Sequence, residues 1–542
     1  MTGKGRRAGS RRRTICNGEA MNAKGRACSL KVLSWTTLLM GLACLLPFAA
    51  QAAPVEMRPS TLARLTITGP VPGNRGPTVA AVCDMNGDSS SEIAIGDPYM
   101  TVNGRPDAGE VRVVPLARSG TFSSTDPALG GLRIVGGARY RLGMELVDLG
   151  DVNGDGRCDL LVSAPRKGVN GYKTPGSAYV IYGRAAGGTL DLSSPPAGYG
   201  FEIKGITSDA FGTSQTVAGP GDLTGDGLAD IVVVGGEDTK GGLKYHLGLY
   251  AVRGVRTSGT VDLQKLAASR GTKLVSFPGG GIPTVAAAGR VNADSRPDLI
   301  IGAGHVKVTG SKWPVSSAFV LFTPSRLKTT TLPAVGANGF RVAGFSGAGV
   351  SAPTVNGVGD VNADGRDDVA VITDSGGGAV GGRGSVGVVF GAGASTTVNA
   401  TAPASRGYVI RAASPASGEV SMFDQIGSAG DVDGDGRSDL TIRELRGPLG
   451  ATKSPTVLIV GGKAATGLSV TGSPFDPGSL GGMALRLIPP EITAGCGSDG
   501  FARSMSVTSH DGGALRAGSF ELVVGSGGSV ECGDRVDVFA PN

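Results

Sequence analysis

The chain of 542 residues has few groups suited to catalysis: three histidines, two tryptophans and 5% aromatic residues in all. His246, His305 and His510 fall at unrelated places, so a Ser-His-Asp or Cys-His arrangement has no localised candidate. No G-x-S-x-G elbow occurs, the nearest string being GFSGA at 344–348, and no phosphate loop is present. Charge is sparse as well, at 18%. The formal net charge of +6 is carried by residues 1–52, where nine Lys and Arg oppose Glu19 alone, and the rest of the chain balances at −2. No basic body is left to hold nucleic acid. These absences weigh against an enzyme.

Cysteine is scarce too. Of seven, only Cys83, Cys158, Cys496 and Cys532 lie beyond residue 52. None of these stands in a C-x-x-C, so a zinc site has no support. Long apolar runs are limited to one, residues 32–50, which follows the basic stretch and precedes Ala50-Gln51-Ala52. That order predicts a signal peptide over 1–52, with Met21 as an alternative start and an uncleaved anchor as the competing reading. The expected product is secreted, extracellular or cell-surface, with the periplasm as a further compartment, and it has no membrane span after cleavage. An even number of cysteines in an oxidising compartment permits two disulfides.

Glycine, by contrast, is abundant: 93 residues, with 31 prolines and no triplet period, which excludes collagen. Hydrophobic residues at 40% are enough for a core. One pattern recurs along the chain: an alternating apolar strand, Gly-Asp, a nine-residue acidic loop, then a strand such as Leu-Leu-Val. The loops begin at Asp84 (DMNGDSSSE), Asp151 (DVNGDGRCD), Asp222 (DLTGDGLAD), Asp360 (DVNADGRDD) and Asp431 (DVDGDGRSD), and a relative, RVNADSRPD, begins at Arg290. Successive starts are 67, 71, 68, 70 and 71 residues apart. Seven such units account for residues 53–542, the seventh loop having decayed ahead of FELVV at 520–524.

Alternation within the second unit predicts four strands, near 144–148, 160–163, 177–182 and 201–204. Radially repeated four-stranded sheets make an all-β, seven-bladed β-propeller. The fourth-strand motif appears as LRIVG (132–136), FEIKG (201–205) and FRVAG (340–344), and again as LTITG at 65–69, ahead of the first loop. Residues 65–69 are therefore expected to complete the last blade beside C-terminal strands.

Positions 1, 3, 5 and 9 of the acidic loops carry oxygen side chains, and position 6 tends to be Gly. Calcium takes six to eight oxygens, and a Gly permits the turn that aims them inward. The expected ligands are Asp84, Asn86, Asp88 and Glu92; Asp151, Asn153, Asp155 and Asp159; and Asp222, Thr224, Asp226 and Asp230. The later loops offer Asp360, Asn362, Asp364 and Asp368, then Asp431, Asp433, Asp435 and Asp439. About five Ca2+ sites follow. Arg290 at position 1 should instead pair with Asp294 and Asp298, leaving that loop without metal.

These residues resemble the FG-GAP repeats of the integrin α-subunit N-terminal propeller, best in RLGMELVDLGDVNGDGRCDLLVSAP (141–165) and in the third unit, with Phe211-Gly212 before its loop. The resemblance implies calcium hairpins on one face, partners on the opposite face, and an interaction or adhesion module. A lectin, or a lyase or hydrolase on a propeller scaffold, are the alternatives. On the opposite face the loops after each second strand are basic and partly aromatic: Arg166, Lys167, Tyr172 and Lys173 in one, Lys307, Lys312 and Trp313 in another. They point to a protein or anionic glycan ligand, bound by a monomer. Placement on the two faces pairs Cys83 with Cys158 and Cys496 with Cys532.

Overall fold

A computed structural model describes residues 77–462 except 117–118, 124–125, 127–128, 168–175, 186, 207–215, 237–246, 278–281, 309–313, 325, 333–335, 346–350, 375–383, 394–396, 413–418, 433–434 and 449–453. It also describes the strands Val55–Met57, Ala63–Gly69, Ala484–Leu487, Ser504–Ser509, Phe520–Ser526 and Asp534–Phe539. All belong to the unit Gln51–Asn542; the unit Met1–Ala50, and with it most of the expected signal peptide, lies outside the described residues.

Period-two alternation yields strands where it predicts them. In the second repeat they are Leu146–Gly150, Asp159–Ala164, Gly176–Ile181 and Gly200–Ile206, each antiparallel to the one before. The first repeat pairs Thr78–Val82, Glu92–Asp97, Glu110–Pro115 and Leu132–Val135 in the same order. The third, Val217–Gly221 to Gly271–Phe277, meets the second in an antiparallel pairing of Ile206 with Gly235. Near the chain ends, Ser504–Ser509, Phe520–Ser526 and Asp534–Phe539 pair in turn, and Ala63–Gly69 is antiparallel to the last of them. Repeated four-stranded antiparallel units of this kind make the architecture propeller-like and all-β.

Sequence reading missed a fifth strand. Between its third and fourth strands a repeat sends a short segment back to the outer strand of the preceding one, and pairs with it in parallel. Gly188–Asp191 lies along Leu132–Val135, and Gly259–Asp262 along residues 201–204. Val398–Asn399 does the same for residues 342–343, and Gly120–Ser123 for residues 65–68. An outer strand would otherwise present a row of unpaired N–H and C=O groups, and the crossover covers it. Adjacent repeats are thereby interlocked.

The core lies between neighbouring sheets. Leu161, Val180 and Phe201 of the second repeat pack with Val217, Ile231 and Val233 of the third. Leu249 of the third packs with Leu299, Ile301 and Phe319 of the fourth. The sheet of the second repeat is covered on both faces, by the first repeat and by the third, which is why Asp159–Ala164 and Gly176–Ile181 are buried at every position. The residue at position 2 of the first five loops is also drawn inward: Met85, Val152, Leu223, Val291 and Val361 are all buried, while Val432 of the sixth is half-buried.

Candidate metal centres

Each acidic loop joins the first and second strands of its repeat. Five of the six are preceded by a left-handed glycine: Gly150, Gly221, Gly289, Gly359 and Gly430 have φ between +67° and +87°. The left-handed glycine coincides with a register shift that sets position 9 opposite it, as in Gly150 with Asp159 and Gly221 with Asp230. The first loop differs. Cys83 replaces the glycine, Val82 pairs with Glu92 without a shift, and the longer Glu stands at position 9.

The position 1 carboxylate organises the loop. Asp151 accepts N–H bonds from Gly154, Asp155 and Gly156 at 2.5, 3.2 and 2.8 Å. Asp222 does the same with Gly225, Asp226 and Gly227, and Asp84 with Gly87, Asp88 and Ser89. Asp360 and Asp431 accept from Gly365 and Gly436. At position 3, Asn86, Asn153 and Asn362 donate to the carboxylates of Asp88, Asp155 and Asp364. Thr224 donates to Asp222 at 3.5 Å. Positions 1 and 3 are half-buried or buried and position 5 is exposed, so the loop opens to solvent through position 5.

Position 9 is a clamp. One oxygen of Asp159 accepts from Val152 N–H in the loop, the other from Gly183 N–H beyond the third strand. Asp230 bridges Leu223 and Gly254, Asp368 bridges Val361 and Gly391, and Asp439 bridges Val432 and Gly462 in the same way. Glu92 instead accepts from Met85 N–H and from Asn86 Nδ2. Burial, reinforced by the neighbouring loop carboxylates, pushes Glu92 and Asp159 up to about 7, Asp230 to about 6 and Asp368 to about 8.

The donors are hard oxygens, and in the first loop those of Asp84, Asp88 and Glu92 lie within 4.8 Å of one another. A divalent hard cation fits such a set, and its charge would hold the buried carboxylates ionised. Asp433 lies outside the described residues.

The Arg290 loop is built otherwise. The expected ion pair of Arg290 with Asp294 and Asp298 is absent: the arginine is exposed, and its main-chain N–H donates to Asp367 at 2.6 Å. Asp294 accepts from Arg296 N–H, and Asp298 is spent on Val291, Asn292 and Thr323. Main-chain donors occupy Asp298, and Arg296 N–H with the Asn292 side-chain amide occupies Asp294, so neither acid turns to the guanidinium. Burial, with Asp294 nearby, raises Asp298 to about 7.

Adjacent loops touch through main chain. The position 8 N–H of one donates to the position 1 carbonyl of the loop before: Cys158 to Asp84, Ala229 to Asp151 and Ser438 to Asp360, each 2.9 Å, and Asp367 to Arg290 at 3.3 Å. Cys83 and Cys158 are also joined by a disulfide, with Cα atoms 5.6 Å apart. Cys496 and Cys532 lie outside the described residues.

Beyond the opposite ends of these strands, Lys167 is engaged by its own chain. Its Nζ donates to Glu202 at 2.7 Å and to the Tyr179 hydroxyl at 2.5 Å, and it sits 4.8 Å from the Tyr179 ring centroid. Ser177 donates to the same Glu202 oxygen. Arg166 is half-buried, its N–H on the Tyr140 carbonyl, and Lys307 is exposed. Tyr172, Lys173, Lys312 and Trp313 lie outside the described residues.

Residues 146–181 match the FG-GAP repeat family. Integrin alpha pat-2 of Caenorhabditis briggsae is 35% identical over 164 residues, covering 28% of this chain and 12% of the relative. Integrin alpha-M of Mus musculus is 33% identical over 161 residues, and integrin alpha-4 of Xenopus laevis 30% over 156, covering 28% of this chain and 13% and 14% of those relatives. The chain thus spans about an eighth of the length of these relatives. BBS1N, in a crystal structure of its complex with ARL6DN, aligns over 87% of this chain and 95% of its own at 10% identity and TM-score 0.35, too low to argue from.

Proposed function

We propose that this chain, an FG-GAP repeat protein that is integrin-α-like over its repeats, is a seven-bladed, calcium-stabilised propeller acting outside the cell as an interaction or adhesion module. The observation that carries the calcium reading is recurrence: five loops in register present oxygen side chains at positions 1, 3, 5 and 9. Asp84, Asn86, Asp88 and Glu92 would hold one ion, and the equivalent residues from Asp151, Asp222, Asp360 and Asp431 onward the others. A bound ion would supply charge compensation for carboxylates that otherwise face one another. What the chain itself contributes is preorganisation, through the main-chain bonds at position 1 and the clamp at position 9.

The strand pairings support the reading of seven blades, with Ala63–Gly69 beside Asp534–Phe539 in the unit of Ser504–Ser509 and Phe520–Ser526. Two sequential crossovers support closure of the ring. Val55–Met57 lies parallel to Ala484–Leu487, and Gly120–Ser123 parallel to residues 65–68. Export is supported by the Cys83–Cys158 disulfide, a bond that oxidising compartments preserve, and by the sequence of residues 1–52. Among the described residues no helix is long and apolar enough to cross a membrane. The partner, a protein or anionic glycan, is assigned to the face opposite the acidic loops, where Arg166 and Lys307 stand.

A melt with and without calcium tests the stabilisation. An ion that binds only the folded chain stabilises it by about 2.7 kcal/mol per site at a hundredfold excess over its dissociation constant. Excess EDTA should therefore lower the Tm strongly, and an unchanged melt rules the reading out. Ligand class is tested by screening the full chain against immobilised acidic polysaccharides and extracellular-matrix proteins, with Arg166→Ala and Lys307→Ala. Normal binding by both variants places the ligand elsewhere.

A further inference from the structure

Cys83 stands immediately before Asp84, the position 1 carboxylate of the first loop, and Cys158 immediately before Asp159, the position 9 carboxylate of the second. The place where they meet recurs between other loops. The residue before each later loop is a left-handed glycine, and at Gly150, Gly221, Gly289 and Gly359 the position 8 residue of the following loop packs on it. A Cβ at Gly150 would lie 3.7 Å from Ala229 Cβ, and one at Gly221 3.8 Å from Pro297 Cγ. At Gly359 it would collide with Ser438 Oγ. Among these described junctions only the first is covalent. There the disulfide runs beside the main-chain bond from Cys158 N–H to the Asp84 carbonyl, 2.9 Å long.

A second observation concerns the reduced form. Asp148 Oδ1 lies 3.5 Å from Cys83 Sγ, and the same oxygen accepts from Gly150 N–H at 3.1 Å, the glycine that precedes the second loop. A thiol at Cys83 would find an acceptor already in place, one also bonded to the entry of the next loop.

The geometry points to a redox-tuned pair of cation loops: the Cys83–Cys158 disulfide fixes the spacing of the first and second loops and so raises their affinity for calcium over that of the dithiol form. This rests on the calcium reading. The chemistry is a two-electron reduction by a dithiol reductant. The S–S bond breaks, S–H bonds form at Cys83 and Cys158, and the reductant closes to its own cyclic disulfide. With the bridge open, the junction keeps only the main-chain bond that the other loops share, and a Cys83 thiol donates to Asp148. Coupling between two sites is reciprocal, so calcium must protect the disulfide against reduction by the same factor.

Calcium titrations of the full chain by isothermal calorimetry, oxidised and after reduction with dithiothreitol, test this. Two sites should weaken about fivefold or more, the range of ordinary site–site coupling, with the remainder unchanged. The variant carrying both Cys83→Ser and Cys158→Ser should match the reduced protein. Because that variant can fail for reasons of folding, a second measurement uses the unaltered chain. The dithiothreitol concentration that half-reduces the bridge should rise when calcium is present. Equal isotherms in the two redox states, or half-reduction indifferent to calcium, overturn the inference while leaving the calcium reading intact. No calcium bound in either state overturns both.

Discussion

The Arg296 guanidinium donates to the main-chain oxygen of Leu223 at 2.9 Å, at the one junction among the described acidic loops where the usual main-chain donor is missing. Position 8 there is Pro297, which has no N–H to offer Asp222. The side chain thus takes over the linking role that the backbone performs elsewhere. Arg256 adds a similar bond, to the Gly154 carbonyl at 3.1 Å, where the main-chain bond is also present.

Removing Arg296 should therefore be felt at this junction more than removing Arg256. Arg296→Ala is expected to cost about 1.5–3 kcal/mol, the range for a hydrogen bond from a charged donor. In that background Pro297→Ala restores a main-chain donor and should recover part of the loss. Denaturant melts of the four combinations measure the coupling. Strict additivity would show that Arg296 and Pro297 do not compensate each other.

The pH dependence has a definite sign. Burial raises Asp97 to about 6, with Glu110 nearby adding to it, and burial raises Asp148 to about 6. An unfolded aspartate titrates near 3.9. The folded chain therefore binds more protons between those values, and the contribution is complete below about 4 and lost as pH rises through about 6. In EDTA the Tm should fall over that window. Asp97→Asn keeps the oxygen that accepts from Tyr99 N–H and removes the titration, so its slope should be shallower. A variant with the unaltered slope would exclude Asp97 as a source.

Much of this was legible from the chain alone, and the reasons are physical. Strands and loops have short-range signatures: Gly-Asp marks the bulge before four of the six loops, and a short apolar run after the loop marks the next strand, as at 160–163 inside Asp159–Ala164. The fifth strand also left a trace, since GTLD at 188–191, GTVD at 259–262 and GTF at 120–122 recur with the same period. It was missed because four residues are too few to show alternation. Lys167 was assigned to a ligand surface because its loop holds no acid; its partner, Glu202, is 35 residues on and reaches it only through strand pairing. The Arg290 pairing failed for a related reason: main-chain donors, invisible in a string of side chains, already satisfied Asp298.

Closure by the N-terminal strands can be tested by truncation. Deleting residues 53–69 removes Val55–Met57 and Ala63–Gly69, leaving Asp534–Phe539 paired on one edge alone and residues 120–123 without the strand they cross to. The expected result is a large loss of cooperative melting, well beyond that from shortening a surface loop by as many residues. A truncated chain that melts at the original temperature would contradict closure.

The central claim is that five loops bind calcium and the Arg290 loop does not. Equilibrium dialysis of the full chain against calcium, with bound metal counted by atomic emission, measures it directly. About five ions per chain are expected, falling by one in Asp431→Ala and unchanged in Arg290→Ala. No bound calcium, or a stoichiometry indifferent to Asp431 and reduced by Arg290→Ala, would contradict it.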